Sequence, residues 1–256
     1  MELEDKIKQK KGKDKIVMLT AYDYQMAKIL DEALLDLILV GDSLGMVFQG
    51  YKDTKSITME YMVYHTRAVA RGVRNTPIIG DMPIHSYDTL EMALENARRF
   101  LEAGANGVKI EGNKPEIIKV LLDAGIPVMG HGGLLPQTAE VYRVRGKTPE
   151  EAERIFQDTL EIDKYGVFSI VLECIPESLA KKITEKVKAP TIGIGAGKFC
   201  DGQVLVINDM LGLDESFAPK YLKKYTNLNK IIKDAVERFT EEVRSGAYPD
   251  EEHIYH

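Results

Sequence analysis

Six ionisable side chains sit in short motifs, each just after a run of apolar residues. VGDSLGM (40–46) carries Asp42 and Ser43, and IIGDMP (78–83) carries Asp81. VKIEGN (108–113) carries Lys109 and Glu111, VMGHGG (128–133) carries His131, and VLECIP (171–176) carries Glu173. Carboxylates crowded together repel one another, and a bound cation relieves that repulsion. Ligation by oxygen alone suits a hard ion such as Mg2+, which makes Asp42, Asp81 and Glu111 candidate metal ligands. The competing arrangement is an ion-pair network around Lys109 with no metal. His131 reads equally well as a ligand or proton carrier and as a donor supporting one. Glu173 is a candidate general base, because a partly desolvated carboxylate is suited to taking a proton; otherwise it is another ion-pair partner. Lys109 as a Schiff-base amine is disfavoured, since three acidic neighbours hold it protonated.

Other residues carry weaker signals. Strand alternation turns Cys174 away from Glu173, as a small buried hydrophobe, and Cys200 has no local His to activate it. The stretch IGIGAG (192–197) has the glycines that let backbone N–H groups approach an anion. It reads equally as a tight turn or as a wall against a flat ring.

Residues so far apart in the chain can act together only if the fold gathers them. Short apolar runs at 16–20, 37–40, 77–80, 107–110, 127–130, 169–172, 191–194 and 204–207 read as buried strands. Helices fall between them. Asp88 with Glu91, and Asn113 with Glu116, have the spacing of a capping box, and Leu90, Ala93, Leu94, Ala97 and Leu101 form one apolar stripe. Thr148 followed by Pro149 opens another helix, and Gly125 and Gly166 close two of them. Leu228, Ile231, Ile232, Ala235, Val236 and Phe239 mark a C-terminal amphipathic helix. Strict strand–helix alternation requires a parallel sheet with helical crossovers. About eight such units in this length favour an α/β (β/α)8 TIM barrel over a doubly wound open sheet. In a barrel all eight strand C-termini share one rim, so the ionisable residues would converge there. Residues 41–56 suit a loop over the site.

The chain has 256 residues and a formal net charge of −6. That length fits a single barrel domain over 1–256, with a short N-terminal arm and C-terminal helices. The charge gives no electrostatic support for a nucleic-acid partner. The Lys-rich start, Lys6 to Lys15, is mixed with acidic residues and reads as a solvated arm. Two cysteines make no disulfide framework, and no apolar run is long enough to span a bilayer. A cytoplasmic protein without membrane partners is expected.

MLTAYDY (18–24), VGDSLGM (40–46), Tyr64-His65-Thr66, VKIEGN (108–113), VLECIP (171–176), IGIGAG (192–197), Asp201-Gly202-Gln203 and the tail from Tyr248-Pro249 to Glu252-His253 occur in order along nearly the whole chain. Together they resemble the ketopantoate hydroxymethyltransferase family, which is similar in fold to the phosphoenolpyruvate/pyruvate barrel superfamily. The resemblance implies a (β/α)8 barrel that binds Mg2+ and uses 5,10-methylenetetrahydrofolate as one-carbon donor. The acceptor it implies is 3-methyl-2-oxobutanoate, converted through a Mg2+-stabilised enolate to 2-dehydropantoate for pantothenate and coenzyme A synthesis. It further implies Asp42 and Asp81 as metal ligands with Glu111 completing the acidic site, and Glu173 as proton acceptor. Asp42, Ser43, Asp81, Lys109 and His131 would contact or line the site of the 2-oxo acid. A homo-oligomer, decamer or octamer, is implied as well. The chain departs from the family pattern at Gly132, where Leu is frequent, at Leu135, where Thr is usual, and at Arg145, where Gln is usual. The loop between Gln137 and Tyr142 is also shorter. Other readings of the same residues are a Mg2+-dependent 2-oxo acid lyase or aldolase without folate, a phosphate-binding barrel enzyme, and a non-catalytic scaffold on a barrel.

Overall fold

Short, mostly apolar runs of three to six residues are largely buried, with Val17 and Gln203 exposed. Among residues 3–256, which the computed structural model describes, eight of them form strands. These are β1 (Ile16–Thr20), β2 (Leu37–Val40), β3 (Ile78–Asp81), β4 (Gly107–Lys109), β5 (Val128–Gly133), β6 (Ser169–Glu173), β7 (Thr191–Ile194) and β8 (Gly202–Leu205). Each pairs in parallel with the next, and β8 pairs with β1 to close the barrel. The helices are α1 (Leu3–Lys8), α2 (Tyr24–Glu32), α3 (Leu44–Val47), α4 (Met59–Gly72), α5 (Leu90–Glu102), α6 (Pro115–Asp123), α7 (Pro149–Lys164), α8 (Glu177–Lys186), α9 (Ile207–Met210) and α10 (Leu228–Ser245). The chain divides into two compact units, the first ending at Val206 with the barrel in it, the second spanning Ile207–His256. Side chains of alternate strand positions, among them Met18, Leu39, Ile79, Met129, Val171, Ile192 and Val204, fill the barrel interior, as the two-residue strand period requires.

The seam is closer than the sequence suggests. β8 begins two residues earlier than expected, and Ile207 opens α9 instead of ending the strand. Gly202 pairs with Ile16, and a Cβ there would lie 2.4 Å from the Ile16 carbonyl oxygen, so glycine permits the closure. At β3, a Cβ on Gly80 would lie 2.2 Å from the Phe100 ring. This close approach sets the buried face of α5 as Ala93, Asn96, Ala97 and Phe100, leaving Leu90 exposed. The cap of α5 also differs from the expected Asp88: Thr89 accepts from the Met92 N–H at 3.2 Å, and Asp88 pairs with His85 at 2.9 Å. Nor does Asn113 cap α6. That helix begins with Pro115 after Lys114, and Asn113 bonds to Glu161. Thr148 does cap α7, accepting from the Glu151 N–H.

The N-terminal arm is solvated along much of its length, as its lysines suggest, but it is also tied to the barrel. Ile7 of α1 is fully buried in the barrel's core cluster, and the lysines tie down the surrounding loops. Lys10 pairs with Asp36 at 2.9 Å, Lys15 donates to the Cys200 carbonyl at 2.6 Å, and Lys11 pairs with Asp201 at 2.8 Å. Asp201 accepts in addition from the N–H groups of Gly12 (3.0 Å) and Thr191 (2.8 Å). Burial raises its pKa, but the bonds from Lys11, Thr191 and Gly12 more than offset that, and the carboxyl is held below its ordinary 3.8. A depressed folded pKa means stability that is present above the unfolded pKa and lost as pH falls through the folded one. Asp201→Ala therefore costs about 3 kcal/mol at neutral pH, from charged hydrogen bonds lost and donors left unpaired. In urea titrations the gap to the wild type narrows below about pH 4; equal midpoints at pH 7 would contradict this role.

In the second unit, Asn227 caps α10 by accepting from the Lys230 N–H at 3.0 Å, and Gly246 ends it in the left-handed region at φ 76°. The expected amphipathic stripe is there, but Ile231, Ile232, Val236 and Phe239 are exposed. No helix among the described residues is long and apolar enough to cross a membrane.

Candidate active site

The rim at the C-terminal ends of the strands gathers the ionisable residues. Asp42 follows β2, Asp81 ends β3, Lys109 ends β4 with Glu111 two residues on, His131 lies in β5, and Glu173 ends β6. Lys109 Nζ lies 2.7 Å from Asp81 Oδ1, 4.0 Å from Glu111 Oε1 and 3.3 Å from His131 Nδ1. His131 bridges onward, with Nδ1 3.5 Å from Glu111 Oε1 and Nε2 3.3 Å from Glu173 Oε2. Asp81 Oδ2 accepts from the Asp42 N–H at 3.2 Å. All are buried except the Glu173 side chain, which is 18% exposed and so faces the opening. Ser43 is set apart from this chain of contacts: it is half-buried and its Oγ is 2.9 Å from the Tyr22 hydroxyl. Among the described residues, no three His, Cys, Asp or Glu side chains already stand at ligating positions around one point.

Burial and like charge act together on the acids. Burial, then Asp81 and Glu111, push the Asp42 carboxyl well above its ordinary value. Burial likewise raises Asp81, against the opposing pull of Lys109. Glu111 is lowered: burial works against its charge, but the hydrogen bond and charge of His131, with Lys109, outweigh it. Burial disfavours the Lys109 cation, yet Asp81, Glu111 and Asp42 together raise its pKa. That keeps the amine protonated and unsuited to Schiff-base chemistry. For His131, burial and Lys109 pull downward, and close contacts with Glu111 and Glu173 push its pKa up to about 9. Four carboxyl groups thus face Lys109 and His131.

Two buried atoms also lack directed partners: Asp81 Oδ1 meets Lys109, and His131 Nε2 meets Glu173, as ion pairs without hydrogen-bond geometry. An oxygen-rich set with more carboxyl than cationic groups, one of whose buried oxygens has no directed hydrogen bond, fits a hard divalent cation. Lys109 and Gln137 occupy parts of the carboxylates that such an ion would share.

The profile of the ketopantoate hydroxymethyltransferase family matches residues 1–251. The chain belongs to this family. Curated relatives named 3-methyl-2-oxobutanoate hydroxymethyltransferase include that of Syntrophus aciditrophicus (strain SB), 51% identical, with 96% of this chain and 93% of that protein aligned. The one from Thermotoga maritima is also 51% identical, covering 98% and 95%. The chain is an enzyme of this kind. In fold it is similar to phosphonopyruvate hydrolase, solved with oxalate and Mg2+, at a TM-score of 0.66 and 12% identity over 100% of this chain and 92% of that one. It is likewise similar to 2,3-dimethylmalate lyase of the PEP mutase/isocitrate lyase superfamily, at a TM-score of 0.63 and 14% identity over 99% and 92%.

Within this ketopantoate hydroxymethyltransferase family member, Gly132, Leu135 and Arg145 line one cavity of about 280 Å³, which also reaches His131 and Thr159. A Cβ at Gly132 would lie 2.9 Å from Thr159 Oγ1, so the absent side chain makes room for the threonine. The IGIGAG stretch is a packed turn. Glu177 fills the space beside Gly197, and Cys200 and Gln203 fill that beside Gly193. Cys174 is half-buried, not fully buried as expected, and takes a left-handed φ of 47° as β6 turns toward α8. Its thiol is pushed up to about 12 by burial and then by Glu173, so it is no nucleophile. Cys200 is buried, and burial likewise raises its thiol. Sequence reasoning missed Gln137, which donates to the Asp42 and Glu111 carboxyl oxygens, and Tyr87, whose hydroxyl donates to Gln137. It also gave no role to His65, whose Nδ1 is 2.6 Å from the Tyr22 carbonyl oxygen. Only the Pro136-Gln137 pair and the Tyr64-His65-Thr66 motif hinted at them.

Proposed function

We propose that the chain transfers a hydroxymethyl group from 5,10-methylenetetrahydrofolate to 3-methyl-2-oxobutanoate, forming 2-dehydropantoate and tetrahydrofolate. One water is consumed overall, and its oxygen becomes the new hydroxyl. The observation carrying this reading is the continuous line Asp81–Lys109–His131–Glu173 on the barrel rim of a member of this family. Asp42 and Asp81 would hold Mg2+, with Glu111 completing the acidic set. When bound, Mg2+ supplies Lewis acidity at the substrate's keto oxygen. The chain's own residues do the remainder. Lys109 keeps a positive charge where that oxygen becomes negative. Ser43, tied to Tyr22, offers its hydroxyl to the 2-oxo acid. Glu173 takes the C3 proton, and His131 stays 3.3 Å from its carboxylate to hold it in place. The resulting enolate carbon bonds to the one-carbon unit as one of its two carbon–nitrogen bonds to the donor breaks, and water replaces the second nitrogen, leaving the hydroxymethyl group on C3 and freeing tetrahydrofolate. A homo-oligomer, decamer or octamer, belongs to the same reading and is supported by the exposed apolar stripe of α10.

The test is to incubate the protein with both substrates and Mg2+ and to quantify 2-dehydropantoate. Product is expected, and EDTA is expected to stop its formation. Activity that survives EDTA would remove Mg2+ from this reading. Turnover seen only as folate-free carbon–carbon cleavage would replace the reading with a 2-oxo acid lyase.

A further inference from the structure

Gln137 is buried at the rim and every polar atom of its side chain is engaged. Nε2 donates to Asp42 Oδ2 at 2.9 Å and to the Met82 carbonyl at 2.9 Å. Oε1 accepts from the Tyr87 hydroxyl at 2.6 Å. The backbone N–H of Gln137 donates to Glu111 Oε2 at 3.1 Å. One residue therefore touches the segments following β2, β3 and β4, the three strands that deliver Asp42, Asp81 and Glu111.

Its amide orientation is dictated by these partners. Turned over, Oε1 would face two acceptors, Asp42 Oδ2 and the Met82 carbonyl, and both contacts would be repulsive. Tyr87 reinforces the choice. Its hydroxyl accepts from the Glu111 N–H at 3.4 Å and spends its own proton on Gln137 Oε1. Tyr87 and Gln137 thus form a bracket with Glu111 at one end and Asp42 at the other. Gln137 comes from the loop after β5, which carries none of the three carboxylates, and Tyr87 from the segment between β3 and α5.

We propose that Gln137 is a positioning residue that sets the separation of Asp42 and Glu111 and orients the Asp42 carboxylate for a divalent cation. This rests on the metal reading above. Groups that hold a metal's ligands in place typically govern its affinity by roughly 10–100-fold.

The test is calorimetric titration of Mg2+ into the wild type, Gln137→Met and Tyr87→Phe, without substrate. Met keeps the length of the side chain and removes the donors. Gln137→Met is expected to raise the Mg2+ Kd by about 30-fold, and Tyr87→Phe by a smaller factor, since it frees only the far side of the amide. In assays the Mg2+ concentration for half-maximal rate rises in step with Kd, and kcat recovers at saturating Mg2+. A purely structural role would lower Tm and leave Kd alone, so an unchanged Kd in folded Gln137→Met overturns the proposal. If that variant does not fold, Tyr87→Phe carries the test by the same criterion. A wild type that binds no Mg2+ would defeat the metal reading and this inference together. Normal wild-type binding with unaltered variants would defeat this inference alone.

Discussion

Glu173→Gln is expected to lower kcat about a thousand-fold and to stop exchange of the C3 proton of 3-methyl-2-oxobutanoate with solvent. Glu173 is the most exposed carboxylate of the cluster, and it is held by His131 Nε2 at 3.3 Å. A glutamine there keeps the size and a hydrogen-bonding oxygen but cannot accept the proton. The contacts of Asp42, Asp81 and Glu111 do not pass through Glu173, so Mg2+ affinity should survive the substitution. Proton NMR in deuterated water reads the exchange directly, without the folate, and isolates the deprotonation from the later bond-forming step. Exchange at the wild-type rate would eliminate Glu173 as the base.

The second large effect is on stability. Lys109→Met removes the cation that lies 2.7 Å from Asp81 and 4.0 Å from Glu111. Two effects compete. A thioether is easier to bury than an ammonium group, but Asp42, Asp81 and Glu111 would then remain buried facing one another. Breaking a buried ion pair from one side usually costs more than the desolvation recovered, about 3–5 kcal/mol. Urea unfolding at pH 7 in EDTA should show that loss. Added Mg2+ should restore part of it, because a ligand that binds only the folded state stabilises it by mass action. kcat/KM should fall by about a thousand-fold as well, since the charge beside the developing oxyanion is gone. A metal-free variant as stable as the wild type would show that Lys109 is not what balances the acids.

Local pattern made most of the barrel legible. The first seven strands lie within a few residues of their apolar runs, because a parallel strand buried on both faces is a continuous apolar segment. Helix ends were legible where one residue controls them, as at Thr148 and Gly125. They were misread at Asp88, whose side chain pairs with His85 three residues earlier, and at Asn113, whose side chain is taken by Glu161, distant in the chain. Composition does not reveal that lysines of the N-terminal arm have carboxylate and carbonyl partners distant in the chain, such as Asp201 beside the β1–β8 seam.

The six ionisable residues of the site could be picked out from the chain alone, because each is tied by strand periodicity to one end of a parallel strand. Those same residues, with the flanking motifs, were enough to indicate the family. What they touch is another matter. Whether Lys109 faces Asp81 or Glu111 more closely, how His131 links Glu111 to Glu173, and that Gln137 reaches Asp42 depend on barrel closure and on loops that carry no period. Sequence spacing specifies where a side chain emerges from its own element. Only packing between elements distant in the chain decides the last few ångströms, and over that distance charge and hydrogen bonding set the chemistry.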